Sequence, residues 1–243
     1  MAEIEDAMIK ITVGTQKKAR KMSEKEKRNT AYHEAGHATV SWLLEGANPL
    51  IKVTIIPRGK ALGAAWYLPE ERQLTTRAQM MDEMASLLGG RASEALNFGE
   101  VSTGALNDLE RATKMAYSMV AYYGMGDTTG NISFYDSTGQ SDYAMTKPYS
   151  EETAVKIDAE AKAMLEEAYN TATQILRDNQ EGLTRLAERL LEKEVVFTDD
   201  LVDIFGERKK DIAKELEEAA KNNDPIEESG SIEPDANAET KEA

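Results

Sequence analysis

The chain has 243 residues, 41% of them apolar, no cysteine, and a net charge of −15 from 44 acidic against 29 basic residues. That length can bury a core without covalent staples, and the missing cysteines exclude disulfides, thiolate metal sites, cysteine nucleophiles and iron–sulfur clusters. The negative field repels phosphate backbones and anionic headgroups, so nucleic acid is not an expected partner.

No apolar run approaches the roughly eighteen residues a membrane span needs, and the opening MAEIED lacks the basic-then-apolar layout of a signal peptide. As it stands the chain is expected to be neither secreted nor membrane-spanning. Residues 1–22 combine an apolar helical pattern (Ile4, Met8, Ile11) with Gly14 and the basic cluster Lys17, Lys18, Arg20, Lys21. They read as the end of something preceding.

Ser23 followed by Glu26 forms a capping-box pattern, and the stretch to Gly46 predicts a helix over about 24–45. Ile51 to Ile56 (IKVTII), stopped by Pro57-Arg58-Gly59, and Ala64 to Leu68 (AAWYL) predict two short strands of a small sheet. Thr76 with Gln79 opens a helix that fades before Gly99, and Gly89-Gly90 inside it predicts close helix packing or a local break. A helix over about 105–123 follows Ser102-Thr103-Gly104 and stops at Gly124.

Residues 124–147 read as a loop with a strand at Ile132 to Tyr135. Ser150 then caps a long helix to about 178, followed by helices over about 181–193 and 198–205. The segment 222–243 has seven acidic residues, one lysine and two aliphatic side chains larger than alanine, and is expected to be a disordered acidic tail. The eleven methionines and the two tryptophans, Trp42 and Trp66, are expected mainly in the core or at an interface.

His33-Glu34-Ala35-Gly36-His37 satisfies H-E-x-x-H. The i, i+4 spacing puts both imidazoles on one helical face, where they can hold one Zn²⁺. Glu34, one residue along, can reach a water on the metal instead of the metal, take its proton and pass it to a leaving amine. These are the only two histidines in the chain. With no cysteine either, the third protein ligand must be an Asp or Glu oxygen, and a fourth position stays open for water. Glu83, Glu94, Asp108 and Glu110 are the candidates, on later helices with small or apolar neighbours, and Asp108 and Glu94 lead. An acid at Asp108, in the first turns of its helix, is also favoured by the helix dipole alone.

HEAGH with Thr30-Ala31-Tyr32 before it, KVTIIPRGKALG (52–63), LPEE (68–71), LLGGRASE (87–94) and STGALNDLERAT (102–113) together resemble the peptidase domain of the FtsH family of membrane-anchored AAA proteases. The resemblance covers about residues 3–206, and PYSEETA (148–154) and LLEKEV (190–195) are similar to its bacterial and mitochondrial matrix-facing branch. It implies a mainly α, helical zincin-type metallopeptidase domain with a small β element near the zinc. His33, His37 and Asp108 would be the zinc ligands and Glu34 the base. Family members usually have two glutamates after GGRxx, where this chain has Glu94-Ala95.

The same resemblance implies one Zn²⁺ per chain, unfolded protein substrates, a hexameric ring with inward-facing sites, and residues 51–56 as an edge strand that pairs with substrate. It makes residues 1–22 the end of an ATPase module and linker, 23–206 the metallopeptidase domain, and 207–243 a charged extension and tail. ATP would be used only by an ATPase module absent from this chain, and membrane attachment would come only from missing upstream segments. The expected location is a bacterial inner membrane with this domain on its cytoplasmic side. Two other functions fit the motif: a stand-alone zincin with Glu94 as third ligand, and an inactive assembly module.

Overall fold

Helix α1, Glu24–Leu43, starts where its sequence says it should: the Ser23 hydroxyl accepts from the Glu26 N–H at 3.2 Å, and the Ser23 N–H donates to Glu26 Oε2 at 2.9 Å. It is buried from Thr30 through Trp42 without a break. A helix covered on all sides has no need of a one-sided apolar stripe, so small residues dominate its middle. The computed structural model describes residues 22–57, 62–67, 74–135 and 148–208. The expectations for residues 1–21 and for the acidic tail lie outside those residues.

Helix α2, Arg77–Phe98, begins with a second capping box, from Thr76 and Gln79, and runs unbroken through Gly89-Gly90. That glycine pair serves close packing. A Cβ on Gly36 of α1 would lie 2.4 Å from the Gly89 carbonyl oxygen, and one on Gly89 would lie 2.8 Å from that of Gly36. The two backbones touch because neither residue has a side chain. A 3₁₀ turn, Thr103–Ala105, leads directly into α3, Leu106–Ala121.

The strand expected at Ile132 to Tyr135 does not form. The segment is tied to the end of α3 by single bonds, Phe134 N–H to the Ala121 carbonyl at 2.7 Å and the Ser133 hydroxyl to the Tyr122 carbonyl at 2.7 Å. Its residues favour a strand, but among the described residues no neighbouring strand makes a ladder with it. The long helix α4, Glu151–Asp178, and α5, Gln180–Lys193, follow, with α6 at Thr198–Phe205. The buried face of α4 is Ala154, Ile157, Ala161, Met164, Ala168, Ala172 and Leu176, a run of three- and four-residue steps in which alanine dominates.

Three strands, β1 Leu50–Thr54, β2 Ala64–Tyr67 and β3 Val195–Phe197, make one antiparallel sheet in the order β2-β1-β3. Val53 pairs with Ala65 on one side and Val196 on the other. The expected edge strand is therefore the central one: β1 has both sides occupied, and the outer strands are β2 and β3. Strand β3 escapes a sequence reading because it is only three residues long. It is set up by Glu194, which stands in the left-handed region at φ 62° and whose carbonyl accepts from Ile55 N–H and the Thr54 hydroxyl.

Met84, Met119 and Met164 fill the core, and Trp42 is buried with its indole N–H on the Gly206 carbonyl at 3.1 Å. Trp66 lies half-buried on the sheet, with the Lys52 ammonium 5.6 Å from its ring centre. Among the described residues no helix is long and apolar enough to cross a membrane. The mainly helical architecture with a small sheet beside α1 agrees with the sequence reading.

Candidate metal centre

One turn of α1 separates His33 from His37, and their Nε2 atoms lie 3.1 Å apart. Asp108, in the first turn of α3, places Oδ2 3.5 Å from each of those nitrogens. Among the described residues this trio is the one cluster of three or more His or acidic residues with ligand atoms converging for a metal. Two donors about 2.0–2.1 Å from a tetrahedral Zn²⁺ stand roughly 3.3–3.4 Å apart, so a triangle of 3.1, 3.5 and 3.5 Å fits that ion.

Both imidazoles are aimed from behind. His33 Nδ1 is 2.8 Å from Glu94 Oε1, and His37 Nδ1 is 2.8 Å from the Ser86 carbonyl oxygen. With each Nδ1–H donating to its oxygen, each Nε2 lone pair faces the triangle. Gly90 completes the arrangement by omission. A Cβ there would lie 2.5 Å from His37 Nε2 and 2.7 Å from His33 Nε2, inside the space a metal would take.

The four candidate carboxylates thus separate by position. Asp108 joins the histidines at Nε2. Glu94 is 3% exposed and spent behind His33: Oε1 also accepts from the Ser102 hydroxyl at 2.8 Å, and Oε2 accepts from the Ser102 N–H at 2.7 Å. Glu110 points away to an exposed pair with Lys114 at 2.6 Å, and Glu83 is not in the donor cluster. Geometry consequently disfavours the stand-alone zincin with Glu94 as ligand. Sequence reasoning missed Ser86, Ser102 and Gly90, which act through a carbonyl, a hydroxyl and an absent side chain. The Ser-Thr-Gly turn and the Gly-Gly pair were their visible traces.

Electrostatics follow the same geometry in the metal-free protein. Burial pulls the His33 pKa down, but its bonds to Asp108 and Glu94 outweigh burial and raise it to about 10. Burial works the other way on Asp108, and the hydrogen bonds from His33 and His37 overcome it, holding that carboxyl well below the usual range. Glu94 is likewise lowered, against burial, by His33 and Ser102. Glu34 differs: it is 7% exposed, burial raises its pKa, the two histidines offset part of the rise, and no hydrogen bond engages its carboxylate among the described residues. Three groups are thus organised to hold a cation and one is left as an uncommitted carboxylate.

The model of peptidase family M41 matches residues 20–204. The ATP-dependent zinc metalloprotease FtsH of Parabacteroides distasonis is 58% identical over 203 residues, 84% of this chain and 30% of that protein. Its namesake in Karelsulcia muelleri is 51% identical over 192 residues, covering 79% and 31%. The mitochondrial inner membrane m-AAA protease component AFG3L1 of Mus musculus is 45% identical over 204 residues, covering 84% and 26%. The chain therefore spans less than a third of the length of these relatives, and that portion contains the paired histidines, the aspartate and the uncommitted glutamate. With most of its length matched and its donor set fit for zinc, the chain belongs to peptidase family M41.

Proposed function

We propose that this chain is the zinc endopeptidase domain of an ATP-dependent, membrane-anchored protease, and that it cleaves unfolded polypeptides. The observation that carries the reading is the convergence of His33, His37 and Asp108 beside a buried Glu34 that is not itself among the converging donors. One Zn²⁺ per chain, held by those three residues, supplies Lewis acidity that lowers the pKa of water toward about 7 and polarises a peptide carbonyl.

The protein's own part is positioning and proton transfer. Glu34 takes the proton of the attacking water on a carboxylate oxygen, holds it, and delivers it to the nitrogen of the leaving amine. Burial raises its pKa above the ordinary carboxylate value, which makes it a stronger base than a solvated glutamate. Glu94, fixed by Ser102, and the Ser86 carbonyl keep the two imidazoles turned toward the metal. Strand β2 is the outer strand of the sheet that starts beside Glu34, and an extended substrate adds to its outer side as a further strand. Only an unfolded segment has its own backbone free for that pairing, which is the physical reason for the substrate class.

ATP hydrolysis, substrate unfolding and membrane anchoring belong to the length of the relatives that this chain does not span. In the full protein six copies form a ring with their sites turned inward, on the cytoplasmic side of a bacterial inner membrane. The test is metal analysis joined to cleavage of unfolded casein. Wild type is expected to hold one zinc and to lose cleavage with a chelator. Glu34→Gln keeps zinc and loses about 10²–10⁴-fold in cleavage. Asp108→Ala loses zinc, whereas Glu94→Ala keeps it with weakened affinity. Zinc-loaded wild type that cleaves no unfolded substrate overturns the reading, and zinc lost only from the Glu94 variant overturns the ligand assignment.

A further inference from the structure

The Glu34 carboxylate has no hydrogen bond to hold it among the described residues, yet a base misplaced by about 1 Å can lose roughly 10²-fold in rate. Something else must fix it. The residue just before strand β2 lies directly against it: a Cβ built on Gly63 would stand 2.6 Å from Glu34 Oε1, 2.7 Å from Cγ and 2.9 Å from Cδ. These distances are far inside van der Waals contact, so the bare Cα face of Gly63 already touches the carboxylate end of the side chain.

Gly63 is not among the glycines with positive φ, so its backbone conformation does not call for glycine. Proximity to Glu34 does. The crowding also differs in kind from that at Gly36, where a Cβ would meet the backbone of α2 and force helices apart. At Gly63 it would meet the movable end of one side chain. Glu34 can rotate away at little cost to the fold, but the group that rotates is the base.

We propose that Gly63 is a positioning residue that packs over the Glu34 carboxylate and confines it to the orientation used in proton transfer. Because Gly63 immediately precedes β2, an outer strand on which substrate can pair also carries the contact that holds the base. Substrate seating and base placement are then set by one element, and no polar partner competes for the proton on Glu34.

This inference rests on Glu34 being the base, and the experiment separates the two ideas. Crystal structures of zinc-loaded wild type and Gly63→Ala are compared, with zinc content, Tm, kcat and KM for an unfolded substrate measured on both. The expected result is a Glu34 carboxylate displaced by about 1 Å or more with β2 in place, full zinc content, and Tm within about 3 °C of wild type. Where wild type cleaves, kcat falls about 10–100-fold with KM within about twofold. A peptide binds Glu34→Gln and the double variant Glu34→Gln, Gly63→Ala equally well, since the strand itself is unchanged.

An unmoved carboxylate with β2 pushed back overturns the proposal. So do a variant that fails to fold, because relief by side-chain rotation is its premise, and a loss of peptide binding in the double variant. Wild type without cleavage defeats the functional reading of Glu34, while the carboxylate position in the Gly63→Ala crystals still decides whether the glycine holds it.

Discussion

Helix α2 packs against α1 and against α4, and the two neighbours are built from different small residues. Against α1 it sets Gly89 on Gly36 and Gly90 on the two histidines, so the missing side chains leave room for backbone contact and for an ion. The buried face of α4 instead carries Ala154, Ala161, Ala168 and Ala172 among larger apolar residues, and there the methyl groups are themselves the packing. The lesson is that smallness serves two ends. Glycines at the crossing of α1 and α2 preserve space beside the paired histidines, and alanines on α4 fill space in the core.

The sharpest break of this contrast comes from Gly90→Ala. Its Cβ would enter the space between His33 and His37, so zinc affinity is expected to fall by more than about 100-fold. The metal-free protein should melt no lower than wild type, because the imidazole ends can swing aside and alanine gains up to about 1 kcal/mol over glycine within a helix. Zinc titration and thermal melting with and without metal measure both. A parallel loss of stability and zinc would mean that Gly90 serves packing like the alanines.

The converse prediction concerns Ala161→Leu. Ala161 is 1% exposed, and overpacking there should cost about 1–3 kcal/mol, lowering Tm by roughly 2–10 °C. Zinc affinity should stay within about twofold of wild type. Large loss of zinc with little change in Tm would show that the α4 face is part of the site.

The smallest effect is expected away from both, at Asp200. Its carboxylate meets Lys193 at 2.8 Å, Arg189 at 3.2 Å and the Phe197 N–H at 3.2 Å. Burial works to raise its pKa, but these partners, Lys193 first, lower it below 3.8. A depressed carboxylate pKa stabilises the fold above its unfolded value and loses that contribution as pH falls through the folded one. Asp200→Asn, which removes the charge and one of the two accepting oxygens, should therefore lower Tm by roughly 2 °C at pH 7, with the gap narrowing as pH falls from 5 toward 3. Neither pH should change the zinc stoichiometry of the variant relative to wild type, and a change would tie this distant ion network to the site.

Local chemistry explains which parts were legible before the fold was known. Helix starts at Ser23, Thr76 and Ser150 could be read because a cap and its partner are three residues apart. HEAGH could be read because i, i+4 spacing already guarantees a shared face. The segment Ile132 to Tyr135 misled because its residue types favour a strand while the decisive quantity, a pairing partner, lies elsewhere in the chain. Strand β1 was correctly expected as a strand and wrongly as an edge, since three residues after α5, far away in sequence, cover its second side.

By itself the sequence determined the chemistry of the donor set: two histidines on one helical turn, a glutamate beside them, and, in the absence of cysteine or further histidine, a carboxylate as the remaining ligand. Residue type and short-range spacing suffice for that, because a helix has the same geometry wherever it is placed. Tertiary structure alone decided which carboxylate faces the histidines at Nε2 and which stands behind one of them, fourteen residues apart in the chain and on opposite sides of one imidazole. It also decided that Gly63 borders Glu34 and that Gly90 borders the paired histidines. A missing side chain has no chemistry of its own, and its meaning comes only from the group that would otherwise be displaced.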